Sequence, residues 1–228
     1  MITYKKITGL LFLALLISGI EGHAQVTALA GDSLIFAEDF SAFQPGTIET
    51  SFKTNGAATV RMVEGQKGKW LDLGDREIYK FSNLINYPRR FTLSFDVIAK
   101  AEQVRDIAPL SFGFASDNSV QHYDSNIGTY VQLHYYDTNQ VNVGSNSLYK
   151  VINTTFDLQS WVNRPLRIVL AVDGERMSVY LNDVRLADEV LFSSAVAKNF
   201  YISAPWRYAN DSSILVSNFK ISGFKEKN

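Results

Sequence analysis

The sequence predicts an all-β protein, built as an antiparallel two-sheet β-sandwich. Three observations carry this expectation. Short apolar runs with a period of two recur along the 228 residues, with Gly, Asn, Asp and Pro between them, the pattern of strands with one buried face. No stretch reads as an amphipathic helix of normal length. Residues 164–186, RPLRIVLAVDGERMSVYLNDVRL, write a complete β-hairpin. In it Leu166, Ile168, Leu170 and Val172 alternate with Arg167, Val169 and Ala171. Asp173-Gly174 then supplies residues that tolerate a tight turn, and Met177, Val179 and Leu181 resume the alternation before a second turn at Asn182-Asp183.

The other elements follow from the same reading. The first strand is expected over 33–39, followed by a loop over 40–47 that is broken at Pro45-Gly46. Short strands are expected over 58–63, 69–73 and 78–81, with Gly-bearing turns between them. Residues 90–100 alternate cleanly, Phe91, Leu93, Phe95 and Val97 against Thr92, Ser94 and Asp96. Strands over 110–115, 129–136, 141–143 and 149–152 precede the hairpin. Residues 188–197 are read as room for one helical turn, and strands over 199–203 and 214–221 close the chain. Strands at this spacing with no helices between them form two packed sheets. Trp70, Phe91, Leu93, Phe95, Leu170, Val179 and Leu181 are the expected core.

Lys5 and Lys6 precede an uncharged apolar run over 10–17, and Gly22-His23-Ala24 puts small residues where a signal peptidase cuts. A signal peptide over 1–24 is therefore expected, with Gln25 as the mature N-terminus and a periplasmic or secreted destination. The apolar run falls short of the about 20 residues that a membrane span needs, so no span is expected after cleavage. With no cysteine there is no disulfide or lipid-modified thiol, and stability must come from the core. Residues 25–228 contain no internal repeat or linker and are read as one domain. The 22 basic and 23 acidic residues nearly cancel, and no basic run is interleaved with aromatics. A nucleic-acid partner is not expected.

The hairpin resembles the "V-D-G…V-Y-L-N-G" hairpin of concanavalin A-like (laminin-G-like) jelly rolls, with Asp183 in place of the last glycine. The resemblance extends along the chain. GQKGKWLDL over 65–73 is similar to the "G-x-x-G-K-W-L-x-L" segment of laminin-G-like modules in envelope proteins of Bacteroidota. Phe36-Ala37-Glu38-Asp39-Phe40-Ser41 resembles their "F-x-D-D-F-S" opening. Residues 90–97 resemble their "F-T-x-x-F-D" strand, and 214–221 their closing "I-S-N-h-x-I". The resemblance implies a jelly-roll sandwich from a superfamily that contains lectins, laminin-G modules and glucanases.

Three chemistries were weighed on these residues. Glycoside hydrolysis needs two carboxylates about 5–9.5 Å apart, and the glucanase relatives supply them from an E-x-D-x-x-E strand that this sequence lacks. Asp96 stands alone on its strand, while Glu38-Asp39 and Asp188-Glu189 are neighbours that point to opposite faces if extended. No G-x-S-x-G elbow is present either. No cofactor is expected. The one candidate ion is Ca²⁺, with Asp117, Asn118, Asp124 and Asn126 in one loop as ligands, and Asp137 and Asn139 in another; such residues are also ordinary turn formers. His122 and His134 lie twelve positions apart with no Cys partner, so a zinc site is not expected.

Carbohydrate binding is the third. Over 129–136 the alternation places Tyr130, Gln132, His134 and Tyr136 on one face, and Val131, Leu133 and Tyr135 on the core face. Rings with hydrogen-bonding tips stack on and orient a sugar, and Trp206 and Tyr208 in APWRYAN are candidate rim residues. The competing reading packs these aromatics beneath a long loop. The sequence is therefore read as a secreted or periplasmic non-catalytic binding module with carbohydrate as ligand. The alternatives are a structural or protein-interaction domain with a cell-envelope protein as partner, or a divergent glycoside hydrolase.

Overall fold

The computed structural model describes residues 31–48, 50–57, 59–136, 139–194 and 196–225; the expected signal peptide, Asp137 and residue 58 lie outside them. Fifteen strands are present: β1 Ser33–Glu38, β2 Phe52–Thr54, β3 Thr59–Met62, β4 Lys69–Leu73, β5 Ile78–Phe81, β6 Arg90–Lys100, β7 Leu110–Ala115, β8 Thr129–His134, β9 Gln140–Ser145, β10 Lys150–Thr155, β11 Leu166–Asp173, β12 Arg176–Leu181, β13 Val184–Val190, β14 Asn199–Ser203 and β15 Ser213–Gly223. Among the described residues the helical content is two single 3₁₀ turns, Val104–Asp106 and Gln159–Trp161.

These strands form two antiparallel sheets that pack face to face. The eight-stranded sheet runs β13-β12-β11-β6-β15-β4-β3, with β1 added against β15. The seven-stranded sheet runs β10-β9-β8-β7-β14-β5-β2. Alternation decides the inner faces. Phe91, Leu93, Phe95 and Val97 of β6 meet Leu110, Phe112 and Phe114 of β7 and Val131 and Leu133 of β8, all nearly inaccessible to water. Phenylalanines fill the centre: Phe95 stacks on Phe219 at 5.2 Å, and Phe81 on Phe200 at 5.5 Å. All seven expected core residues are buried, but Trp70 belongs to a separate cluster with Ile98 and Leu215 on the outer side of the eight-stranded sheet.

Departures from the sequence expectation have local causes. Asp173 pairs with Arg176, so the hairpin turn is centred one residue later, on Gly174-Glu175, with Gly174 at φ +59°. Residues 188–197 hold no helical turn among the described residues. β13 continues to Val190, and Leu191 and Phe192 then drop into the core while their amides donate to the Glu175 carbonyl. The alternation within β15 also slips. Ile214 and Val216 face inward, and so do Phe219 and Ile221, because a bulge at Asn218 (φ +55°) absorbs one residue. This bulge lets β15 pair with β4 at one end and with β1 at the other.

Candidate ligand-binding face

The outer face of the seven-stranded sheet is built by register. Ser203 of β14, Ser111 of β7, Gln132 of β8, Asn142 of β9 and Asn153 of β10 lie side by side in one row. The next row is Lys80, Tyr201, Gly113, Tyr130, Gly144 and Val151. Tyr130 lies flat across Gly144, where an added Cβ would come within 2.6 Å of the phenol. It packs with Ala115, Tyr201 and Ile127. The first row is entirely polar, while the second sets two tyrosines among glycine spacers between Lys80 and Val151.

Half of this face is covered. The segment 116–128, which joins β7 to β8, folds back over the sheet and is tied down along its length. Lys80 Nζ donates to the Asp117 carbonyl (2.8 Å) and carboxylate (3.4 Å). Ser203 donates to the Asp124 carbonyl, Ser111 to the Asn126 side chain, and Tyr123 to the Ala204 carbonyl. The Tyr201 hydroxyl accepts from the Ile127 amide at 2.9 Å. Burial beneath the segment pulls the Lys80 pKa down against the opposing pull of Asp117, and pushes the Tyr201 phenol far above its usual value.

The six residues expected to bind ligand therefore divide. Tyr130, Gln132 and His134 do share the outer face, as the alternation requires, but Tyr130 and Gln132 are 6% and 8% exposed beneath the segment. β8 ends at His134. Tyr135 is core, and Tyr136 stands exposed just beyond the strand. Trp206 is half exposed beside β14, with the Arg207 guanidinium 5.1 Å over its ring and its carbonyl accepting from Arg76 Nε. Tyr208 lies elsewhere, in a cleft of about 380 Å³ shared with Arg61, Asp72 and Lys100, and burial raises its pKa. These six do not make one continuous surface.

The open part of the face lies over β8–β10. His134, Gln140 and Asn142 are partly accessible, and Asn153 and Thr155 are exposed; Gln140 Nε2 donates to Asn142 Oδ1 at 2.9 Å. Gln140, Asn142 and Asn153 were absent from the sequence reading, which took β9 and β10 as shorter runs. Their alternation with Val141, Val143 and Ile152 is the signal that would have found them.

The four proposed calcium ligands are held by separate anchors. Asp117 is engaged by Lys80 and the Ser119 amide, which, with the amide the larger cause, hold its carboxyl below the usual range. Asn118 donates to the Phe81 carbonyl. Asp124 accepts from the Asn126 amide, and Asn126 is fastened to Ser111. The Lys80 ammonium at Asp117 opposes a second cation at that residue. Among the described residues, no three His, Cys, Asp or Glu side chains gather as metal ligands. Asn139 has φ +71°, and its side chain lies 3.5 Å from the Gln159 amide.

The carboxylates weighed for hydrolysis are committed to structure. Asp96 is bound by Arg167 Nη1 at 3.0 Å and Asn218 Nδ2 at 2.7 Å. Glu38 accepts from the Phe40 amide and the Ser51 hydroxyl. Asp39 accepts from the Ser41 amide. Asp188 accepts from Arg176 and Ser178, and Glu189 pairs with Lys150.

This arrangement is an antiparallel β-sandwich: two sheets around one core, with one outer face partly open and polar. The protein is similar in fold to the binding domain of botulinum neurotoxin serotype D (TM-score 0.57, 12% identity, 88% of this chain and 50% of that one). A second structure of that domain, in complex with N-acetylneuraminic acid, gives a TM-score of 0.55 at 12% identity, with 88% of this chain and 50% of that one matched. The chain thus spans about half the length of those toxin structures. The exoplasmic/lumenal domain of VIP36, in its Ca²⁺/Man3GlcNAc-bound form, matches with a TM-score of 0.58 at 9% identity, over 78% of this chain and 85% of that one. No family model and no curated protein sequence matches the chain.

Proposed function

We propose that this protein is a non-catalytic carbohydrate-binding module of the laminin-G-like kind, exported to the periplasm or cell surface, and that a glycan lies across the open part of the outer face over β8–β10. The observation that carries the reading is the registered polar row. Asn142 and Asn153 present donors and acceptors at strand spacing, with His134 and Gln140 beside them, while Gln132 continues the row where it is covered. Planar amides aligned in this way match the vicinal hydroxyls of a sugar, and Tyr136 and Trp206 supply rings near the same end of the sheet. Structures of this fold that hold N-acetylneuraminic acid or Man3GlcNAc support it. The N-terminal charge, apolar and small-residue pattern supports export. Ca²⁺ is not part of the reading.

The test is a glycan array with neutral oligosaccharides, followed by calorimetry on the best binder. Asn142→Ala, Asn153→Ala and His134→Ala should each weaken binding by about 1–2 kcal/mol for a lost hydrogen bond, with thermal stability retained. Absence of any neutral-glycan binding, or wild-type affinity in all three variants, would sink the proposal.

A protein-interaction role in the cell envelope is the second reading. It is favoured by the β9–β10 hairpin, where Leu148, Tyr149 and Val151 are 38%, 96% and 57% exposed. An apolar tip beside an edge strand suits a protein surface. Leu148→Ser with Tyr149→Ser would abolish such an association and leave glycan binding intact.

A further inference from the structure

The end of the sandwich where β7 finishes and β14 begins carries a trough remote from His134, which sits at the opposite end of β8. Two adjoining cavities of about 510 and 440 Å³ share Arg89, Gly174 and Lys198 in their walls. Three stretches enclose them: residues 84–89 leading into β6, the Gly174-Glu175 turn, and residues 193–194 and 196–198 ahead of β14. The positions are fixed by backbone bonds. The Gly174 amide donates to the Arg89 carbonyl, and the Leu191 and Phe192 amides donate to the Glu175 carbonyl.

The charges in this trough are unevenly satisfied. Asp173 is neutralised by Arg89 Nε at 3.6 Å and Arg90 Nε at 3.3 Å. Arg176 is occupied by the Asp188 carbonyl and carboxylate. Lys198 is different. Its ammonium lies 4.6 Å over the Phe192 ring and has no hydrogen bond or ion pair among the described residues. It is half-buried, and desolvation lowers its pKa against the opposing pull of Glu175, which lines the same cavity. The terminal nitrogens of Arg89 likewise meet no acceptor among the described residues, since its one ion pair is through Nε. The half-buried Lys198 ammonium and the exposed Arg89 guanidinium line the same cavities, beside the carboxylates of Asp173 and Glu175, and their free donors can receive an anion. Leu84, Ile85 and Val196 bring apolar surface to the cavity of about 440 Å³, while Ser193 and Ser194 bring hydroxyls to the adjoining one.

We propose that this trough binds a small acidic saccharide, a sugar ring bearing a carboxylate, with Lys198 and Arg89 holding the anion and Leu84, Ile85 and Val196 covering an apolar ring face. The combined volume suits a monosaccharide or the end of a chain. The site is independent of the outer face. Loss of neutral-glycan binding over β8–β10 leaves it standing, and its own failure leaves that reading standing.

The experiment is calorimetric titration of the protein with D-glucuronic acid, with D-glucose and acetate as comparisons. Glucuronic acid should bind while glucose and acetate do not, and its affinity should fall several-fold between about 50 and 300 mM NaCl as the charges are screened. Lys198→Gln and Arg89→Gln should each lose about tenfold or more, the scale of a hydrogen bond to a charged group. Lys198→Arg should keep most of the affinity, and Asn142→Ala all of it. Glucose or acetate binding as well as glucuronic acid, no binding of glucuronic acid, or an unchanged Lys198→Gln variant would overturn the proposal.

Discussion

Tyr130 and Leu133 occupy successive levels of one strand and answer to different layers of the molecule. Leu133 points into the space between the sheets and is wholly buried, so Leu133→Ala should cost about 2–5 kcal/mol of stability. Alternation alone places Tyr130 on the opposite face, among the residues expected to bind ligand. There segment 116–128 covers it, and Tyr201 and Ile127 pack against it. Tyr130→Ala should therefore cost about 2–4 kcal/mol by opening a cavity under the segment. Urea denaturation of both variants checks the pair; a fully stable Tyr130→Ala protein would mean that the segment does not seal this face.

At the scale of elements, segment 116–128 is held by polar ties to the sheet. Tyr201→Phe removes the acceptor of the buried Ile127 amide and should cost about 1–2 kcal/mol. Limited proteolysis should then cut within 116–128 faster than in the parent. EDTA or added Ca²⁺ should leave Tm unchanged, since Lys80 already supplies the cation at Asp117; a Tm rise of several degrees with Ca²⁺ would contradict this. Elements also show where sequence reading loses its grip. The expected bounds of β4, β5, β6, β7 and β14 match the structure because their alternating residues lie between clear turn signals. β2 was missed because three residues carry no measurable period. β13 was missed because the buried Ala187 stands between the partly buried Leu186 and Asp188, which blurs its alternation. The bulge at Asn218 has no signature in the residues alone, since Asn at positive φ also occurs in ordinary turns.

For the whole molecule, the buried phenols predict how the fold fails at high pH. Tyr79, Tyr87, Tyr135, Tyr201 and Tyr208 all have pKa values raised by burial, with the Glu77 carboxylate adding to the shift at Tyr79. A raised folded-state pKa means that the unfolded chain releases its protons first, near the ordinary phenol value of about 10. The stability these groups confer is complete below that pH and is lost as pH rises toward the folded values. Absorbance at 295 nm should therefore show several tyrosines ionising late and together, in step with the loss of near-ultraviolet dichroism. Independent titration of all tyrosines near pH 10 in a folded protein would contradict the burial pattern.

The residues of this chain by themselves determined the all-β class, the antiparallel hairpins, the central core and the inward or outward sense of each side chain on β6, β8 and β11. Those features are local: a period of two and a turn residue need only near neighbours to express themselves. Only the tertiary structure decided which outward residues meet water. Tyr130 and Asn142 face the same way, yet the first is sealed by a segment whose anchors, Lys80, Ser111, Tyr201 and Ser203, come from three different strands. The trough around Lys198 was illegible for the same reason, because its walls join residues more than a hundred positions apart. Register sets direction along a strand; the packing of distant loops sets exposure, and exposure decides what can bind.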